Sequence, residues 1–177
     1  MSTINKMPTL KNKNTYKKEK LINLPGVAGK VKKFDTKLHQ KYDERAREII
    51  KYRFPDHAID NPNIYGEDLI FNHDILPYKF IEVQVCSTWD GDRFPYPYPF
   101  VYARKMRFSN DTLFVTFDRT YTRVIIFSKK VIDEKPVRLK KYDREMVHMV
   151  SWGRALKMET SEFTLENLMG YAGVDPE

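Results

Sequence analysis

Asp68 and Glu82 have 13 residues between them, one in each of two short runs that read as strands, and both offer the oxygen donors that a hard divalent cation takes. The second run, Phe80-Ile81-Glu82-Val83-Gln84-Val85, alternates. In a strand Phe80, Glu82 and Gln84 share one face, and Ile81, Val83 and Val85 share the other. Packing the aliphatic face into a core would hold a carboxylate and an amide rigidly, two residues apart. Two carboxylates converging from neighbouring strands suit Mg²⁺ or Mn²⁺. An ion so placed can activate water against a phosphodiester.

Such a site needs a sheet, and the rest of the chain predicts one. A helix is expected from about Asp35 to Arg53, with Leu38, Tyr42, Ala46, Ile49, Ile50 and Arg53 at helical spacing and Phe54-Pro55 as its stop. It carries the acids Asp43, Glu44 and Glu48. Residues 55–65 read as loop, and strands are expected at about 67–72 and 79–86. Three more runs read as strands: Phe100 to Phe108, Thr112 to Asp118 and Arg123 to Ser128. The last is apolar on both faces over Val124-Ile125-Ile126-Phe127 and should be central. Asp143 to Lys157 reads as a helix anchored by Trp152. A last helix, capped by Thr160 or Ser161, should run through Tyr171. The order predicts an α/β or α+β fold with a mixed central sheet flanked by helices.

Helix with acids, Asp68 in a strand, then Glu82-Val83-Gln84 in an apolar strand: this arrangement resembles the PD-(D/E)XK, or restriction-endonuclease-like, nuclease superfamily over roughly residues 36 to 130. Gln84 stands at the usual lysine position, a Glu-x-Gln variant that some active restriction enzymes share. Glu67 stands where the proline of the name would be. The resemblance implies a metal held by Asp68, Glu82 and the Val83 backbone carbonyl, with Asp43 or Glu44 as a further acid. It gives Gln84 the task of orienting the attacking water. It also implies that a basic residue on the following strand can lie near the scissile phosphate. Arg104 and Lys105 are the candidates to have taken over the lysine role.

The net charge of +7 is concentrated at the N-terminus. Residues 1–33 contain nine lysines against the single acid Glu19, which leaves the other 144 residues at −1. The chain therefore divides into a basic arm, 1–33, and one nuclease-like domain, 34–177. Lys11, Lys13, Lys17, Lys18, Lys20, Lys30, Lys32 and Lys33, with Arg104 and Lys105, are the candidate nucleic-acid contacts, and DNA is the expected partner. A solubilising or targeting role is the equal alternative for the arm. A homodimer and virion components are the further partners considered, because a Lys-, Asn- and Tyr-rich composition fits an AT-rich genome such as that of many large DNA viruses.

Several classes are disfavoured. No run approaches 18 apolar residues and no signal-peptide core opens the chain, so an intracellular setting, or a virion, is expected without a membrane span. Cys86 is a lone cysteine and reads as a buried structural thiol. His39, His57, His73 and His148 lack zinc-ligand spacing, and no glycine-rich phosphate loop is present. In the aromatic stretch from Phe94 to Tyr102 the core reading outweighs base stacking. Three functions compete: a Mg²⁺-dependent endonuclease acting on DNA, a catalytically silent protein of the same fold with a structural or nucleic-acid-binding role, and ordinary sheet-edge acids.

Overall fold

The computed structural model describes residues 21–22, 36–139 and 145–174. Helix α1 (Thr36–Arg53) forms where its periodicity predicts. Ala46 and Ile50, one turn apart, are fully buried. Pro55 disfavours helical backbone in the residue before it, which ends the helix. Lys51 and Arg53 in the last turn complement the helix dipole. Arg53 also donates to the Phe163 carbonyl at 2.9 Å and the Ser161 carbonyl at 2.7 Å, fastening the helix end to the far part of the chain.

Three antiparallel strands follow: β2 (Ala58–Asp60), β3 (Leu69–Phe71) and β4 (Phe80–Val85). β1 (Leu21–Ile22) precedes α1. After β4 the chain leaves the sheet through β5 (Phe100–Tyr102) and a 3-10 segment (Ala103–Arg107), then returns as β6 (Thr112–Phe117), parallel to β4. Parallel neighbours cannot be joined by a hairpin, and residues 86–111 supply the crossover. The remaining strands are β7 (Arg123–Ser128), β8 (Pro136–Leu139), β9 (Glu145–Met149) and β10 (Leu156–Glu159), followed by α2 (Leu165–Ala172).

These strands form two sheets. One is a mixed six-stranded sheet in the order β10-β7-β6-β4-β3-β2; the other has the order β1-β8-β9-β5. β4 therefore lies inside its sheet, as its two-sided burial requires. Alternation sends Ile81, Val83 and Val85, with Leu113, Val115 and Phe117, to one face, where they pack with Ala46 and Ile50 of α1 and Leu168 and Met169 of α2. Phe114, Ile125 and Phe127 point to the other face, against Phe100, Tyr102 and Val147 of the smaller sheet. The result is an α+β fold in three layers: helices, large sheet, small sheet.

Several expectations are corrected. Residues 145–159 are not helical; they form β9, a 3-10 turn at Trp152–Arg154, and β10. The apolar positions in this segment fit either period, and strand partners on both sides of β9 decide the outcome. In β10, Leu156 and Met158 are partly buried and Lys157 and Glu159 exposed, a period of two that a helix cannot satisfy. Trp152 is one of the exposed aromatics instead of an anchor within a helix.

Smaller departures follow the same logic. β2 lies in the expected 55–65 loop and β8 in a polar stretch. The strand expected to run to Phe108 stops at Tyr102. The last helix starts later than expected: Thr164 caps it by accepting from the Asn167 N–H at 3.2 Å, while Thr160–Glu162 is a separate 3-10 turn. Gly173, at φ 72°, closes it in the left-handed conformation that favours glycine. Cys86 is buried as expected. Most of the basic arm lies outside the described residues; β1 within it pairs in parallel with Arg138 and Leu139 of β8.

Candidate active site

β3 pairs with β4 so that Leu69 faces Ile81. One step further, Asp68 stands opposite Glu82, and each residue holds the other. The Asp68 N–H donates to Glu82 Oε1 at 3.1 Å, and the Val83 N–H donates to Asp68 Oδ2 at 2.9 Å. The N–H and C=O of one strand residue point to the same side, so the Val83 carbonyl also faces the gap that Asp68 enters. Each carboxylate is thus bonded to the backbone of the opposite strand where β3 begins.

Glu82 has a second partner. Its Oε2 accepts from Lys105 Nζ, and the two side chains are 5% and 2% exposed. Lys105 arrives on the 3-10 segment that follows β5. Removing two charges from water costs several kcal/mol each, and a buried pair persists only when its attraction and its other hydrogen bonds offset that cost. Arg104 beside it is half-buried.

Gln84, two residues along the same face, is also buried. Its Nε2 donates to the Phe100 carbonyl at 2.9 Å and to Thr116 Oγ1 at 2.7 Å, while its Oε1 is buried without a hydrogen-bond partner. The resemblance gives this side chain the task of orienting the attacking water; its amide nitrogen ties β4 to β5 and β6. Because β5 leads directly into the segment bearing Lys105, Gln84 helps to set the position of that lysine.

Glu67, directly before Asp68, is a buried anchor. Its Oε2 accepts from the Ser109 N–H at 3.0 Å and from Thr112 Oγ1 at 2.8 Å, fixing the chain just before Asp68 against the start of β6. Asp68 itself is half-buried and lines a cavity of about 280 Å³ together with Arg47, Asn61, Asn63 and Ile64. Larger cavities of about 1180 and 710 Å³ lie elsewhere, one against Phe94 and Trp152 and the other against Tyr78 and Tyr171.

Hydrogen bonds link Asp68, Glu82, Val83 and Lys105, and Gln84 lies two residues along β4 from Glu82. Asp43 and Glu44 lie on α1, whose buried residues pack on the Ile81–Val83–Val85 face of β4 and not on the Glu82 face. Glu44 is exposed, and Asp43 is half-buried near Tyr121. Burial chiefly raises the pKa of the Tyr121 hydroxyl, with a further upward push from Tyr42 and a smaller one from Asp43. Lys11, Lys13, Lys17, Lys18, Lys20, Lys30, Lys32 and Lys33 lie outside the described residues. Among the described residues, no three His, Cys, Asp or Glu side chains gather as a metal-binding group, and no helix is long and apolar enough to cross a membrane.

Sequence reasoning missed the Thr116 and Phe100 contacts of Gln84, the anchoring by Glu67, and Arg47. The acid pair Glu67-Asp68 ahead of the apolar run Leu69-Ile70-Phe71 was the available signal for the anchor. Comparison with family models, curated proteins and solved structures yields no match.

Proposed function

We propose that this protein is a metal-dependent endonuclease-like protein acting on DNA phosphodiesters, with Asp68, Glu82 and the Val83 carbonyl as metal donors and Lys105 in the role of the missing lysine. The observation that carries this reading is the reciprocal hold of Asp68 and Glu82, with Lys105 on the second oxygen of Glu82. The element order supports it: a helix, an antiparallel run with Asp68 entering β3 and Glu82 in β4, then a parallel strand after a crossover.

The donors fit Mg²⁺ or Mn²⁺. All are hard oxygens, and Mg²⁺ in phosphoryl-transfer sites is held by only one or two carboxylates plus substrate phosphate and water. A divalent ion held there would polarise a phosphoryl oxygen and lower the pKa of a water. The protein's own groups do the rest. The Val83 and Asp68 N–H groups fix the two carboxylates. Lys105 keeps a positive charge beside Glu82, where it can offset charge developing on a phosphate. Gln84 holds the start of β5, the strand that leads into the segment bearing Lys105. The basic arm supplies salt-sensitive affinity for the backbone.

A second reading is a catalytically silent protein of this fold with a structural or nucleic-acid-binding role, including within a large DNA virus particle. The near-complete burial of Glu82 and Lys105 favours it. Incubation of labelled duplex, nicked and branched DNA with Mg²⁺, Mn²⁺ or chelator separates the two. Metal-dependent cleavage that Asp68→Asn abolishes supports the nuclease; binding without cleavage under any metal supports the silent protein.

A further inference from the structure

The segment Asn61–Gly66, just ahead of Asp68, combines a fixed backbone with exposed apolar side chains. Ile64 is 83% and Tyr65 75% exposed, yet the chain that carries them is braced at Asn61, Asn63, Tyr65 and Gly66. The Asn61 N–H donates to the Asp68 carbonyl at 3.1 Å, and Asn61 Nδ2 to the Glu67 carbonyl at 2.9 Å. Asn61 Oδ1 accepts from the Asn63 N–H at 3.0 Å, and Asn63 Oδ1 from the Tyr65 N–H at 3.1 Å. Gly66 closes the turn so tightly that a Cβ there would lie 2.9 Å from Asn61 Nδ2.

Two cations flank this segment. Arg107, two residues beyond Lys105, donates from Nη1 to the Tyr65 carbonyl at 2.8 Å. Arg47 of α1 shares the Asp68 cavity with Ile64. The bonds from Asn61 to the Asp68 and Glu67 carbonyls tie the turn that carries Ile64 and Tyr65 to the start of β3. An exposed ring on a braced turn, with Arg107 on its backbone carbonyl and Arg47, ion-paired to Asp60 at 3.6 Å, in the cavity beside Ile64, has the composition of a base-stacking platform with phosphate contacts.

The geometry points to a substrate in which a base next to the scissile phosphate is unpaired: we propose that Tyr65 stacks on that base, Ile64 wedges against the adjoining base pair, and Arg47 and Arg107 hold the flanking phosphates. The substrate class is then DNA with a flap, gap or junction instead of continuous duplex. This inference rests on the nuclease reading for the position of the phosphate, but its binding step needs no catalysis.

The test uses the full-length chain in chelator, with two oligonucleotides of equal length and charge. One is fully paired; the other carries a single-stranded flap with 2-aminopurine at the first unpaired position. Wild type and Tyr65→Phe should bind the flap more tightly than the duplex and quench the 2-aminopurine. Tyr65→Ala should lose the quench and about 5- to 150-fold of flap affinity, the range for one base–aromatic stack, with duplex affinity changed less than about twofold. Ile64→Ala should lose part of the flap preference. Both side chains are solvent-exposed, so circular dichroism of each variant should match wild type.

Equal binding of flap and duplex by wild type, or a Tyr65→Ala that binds the flap unchanged, overturns the inference, as does failure to bind either oligonucleotide. The nuclease reading fails separately. Quenching that depends on Tyr65, without cleavage under any metal, keeps the stacking platform and removes the enzyme. Cleavage that Asp68→Asn abolishes but Tyr65→Ala leaves unchanged does the reverse. Asp68→Asn should retain the quench.

Discussion

Two buried carboxylates in this protein are satisfied in opposite ways. Asp118, at the end of β6 and wholly inaccessible, accepts from the Thr122 and Arg123 N–H groups at 2.8 and 3.1 Å, from the Thr120 and Thr122 hydroxyls at 3.1 Å each, and from Arg123 Nη1 at 3.2 Å. Every donor lies within five residues. Glu82 is nearly as buried, but its partners, Asp68 and Lys105, come from 14 and 23 residues away on different elements. A carboxylate ringed by its own turn is a brace: it fixes a hairpin and has no capacity left. One assembled from a strand start, a central strand and a crossover segment needs the whole fold in place, and it concentrates charge at one point. The first pattern builds the molecule; the second is what a reactive site requires.

The largest expected effect on stability comes from splitting the Glu82–Lys105 pair. Lys105→Ala leaves a buried carboxylate without its cation and should cost about 3–5 kcal/mol in urea unfolding, whereas Glu82→Leu with Lys105→Met should restore most of it. If Lys105→Ala were neutral, the pair would carry no such charge interaction and the comparison would lose its basis.

Asp118→Asn should cost about 1.5–3 kcal/mol, because it weakens several hydrogen bonds to one charged acceptor, and it should leave DNA cleavage per folded molecule unchanged. A loss of cleavage beyond the loss of folded protein would put Asp118 on the functional side. Gln84→Met, close in volume, should cost about 1–2 kcal/mol, since it relieves an unpartnered Oε1 but strands the Phe100 carbonyl and Thr116 hydroxyl. Cleavage should fall further than stability does, through displacement of Lys105; a purely structural Gln84 would lower stability alone.

The smallest effect concerns pH. Tyr121, in the Asp118 turn, and Tyr78 and Tyr171 all have hydroxyl pKa values raised chiefly by burial. A raised folded pKa means that the unfolded chain loses its proton first, at about pH 10. The stabilisation is complete below that pH and is lost as pH rises above it. Tyr121→Phe should therefore flatten the decline in stability between about pH 10 and 11, read by thermal unfolding; an unchanged slope would place Tyr121 outside that linkage.

What could be read before the structure was known depended on how local each feature is. The alternation of Phe80–Val85 fixes the faces of β4, and its two-sided apolar content requires an interior strand; both hold. Helix α1 is long and strongly periodic and appears within one residue of its expected limits. The segment 145–159 misleads because Met146, Val147 and Val150 suit either period and their strand partners lie far along the chain. The second sheet was invisible for the same reason. Within the site, the opposition of Asp68 and Glu82 follows from the hairpin. The pairing of Glu82 with Lys105 in place of Arg104 does not: it depends on a 3-10 turn after Tyr102, at the end of a strand whose start is held by the Gln84–Phe100 bond.

The central claim is that Asp68, Glu82 and Lys105 form one metal-dependent phosphodiester-cleaving site. Its most direct test is cleavage of end-labelled flap and duplex DNA by wild type, Asp68→Asn and Asp118→Asn, with Mg²⁺, Mn²⁺ or chelator, scaled to folded protein. Wild type and Asp118→Asn should show metal-dependent cleavage, and Asp68→Asn none despite retained DNA binding. Equal cleavage by wild type and Asp68→Asn, or none by wild type in either metal, would contradict it.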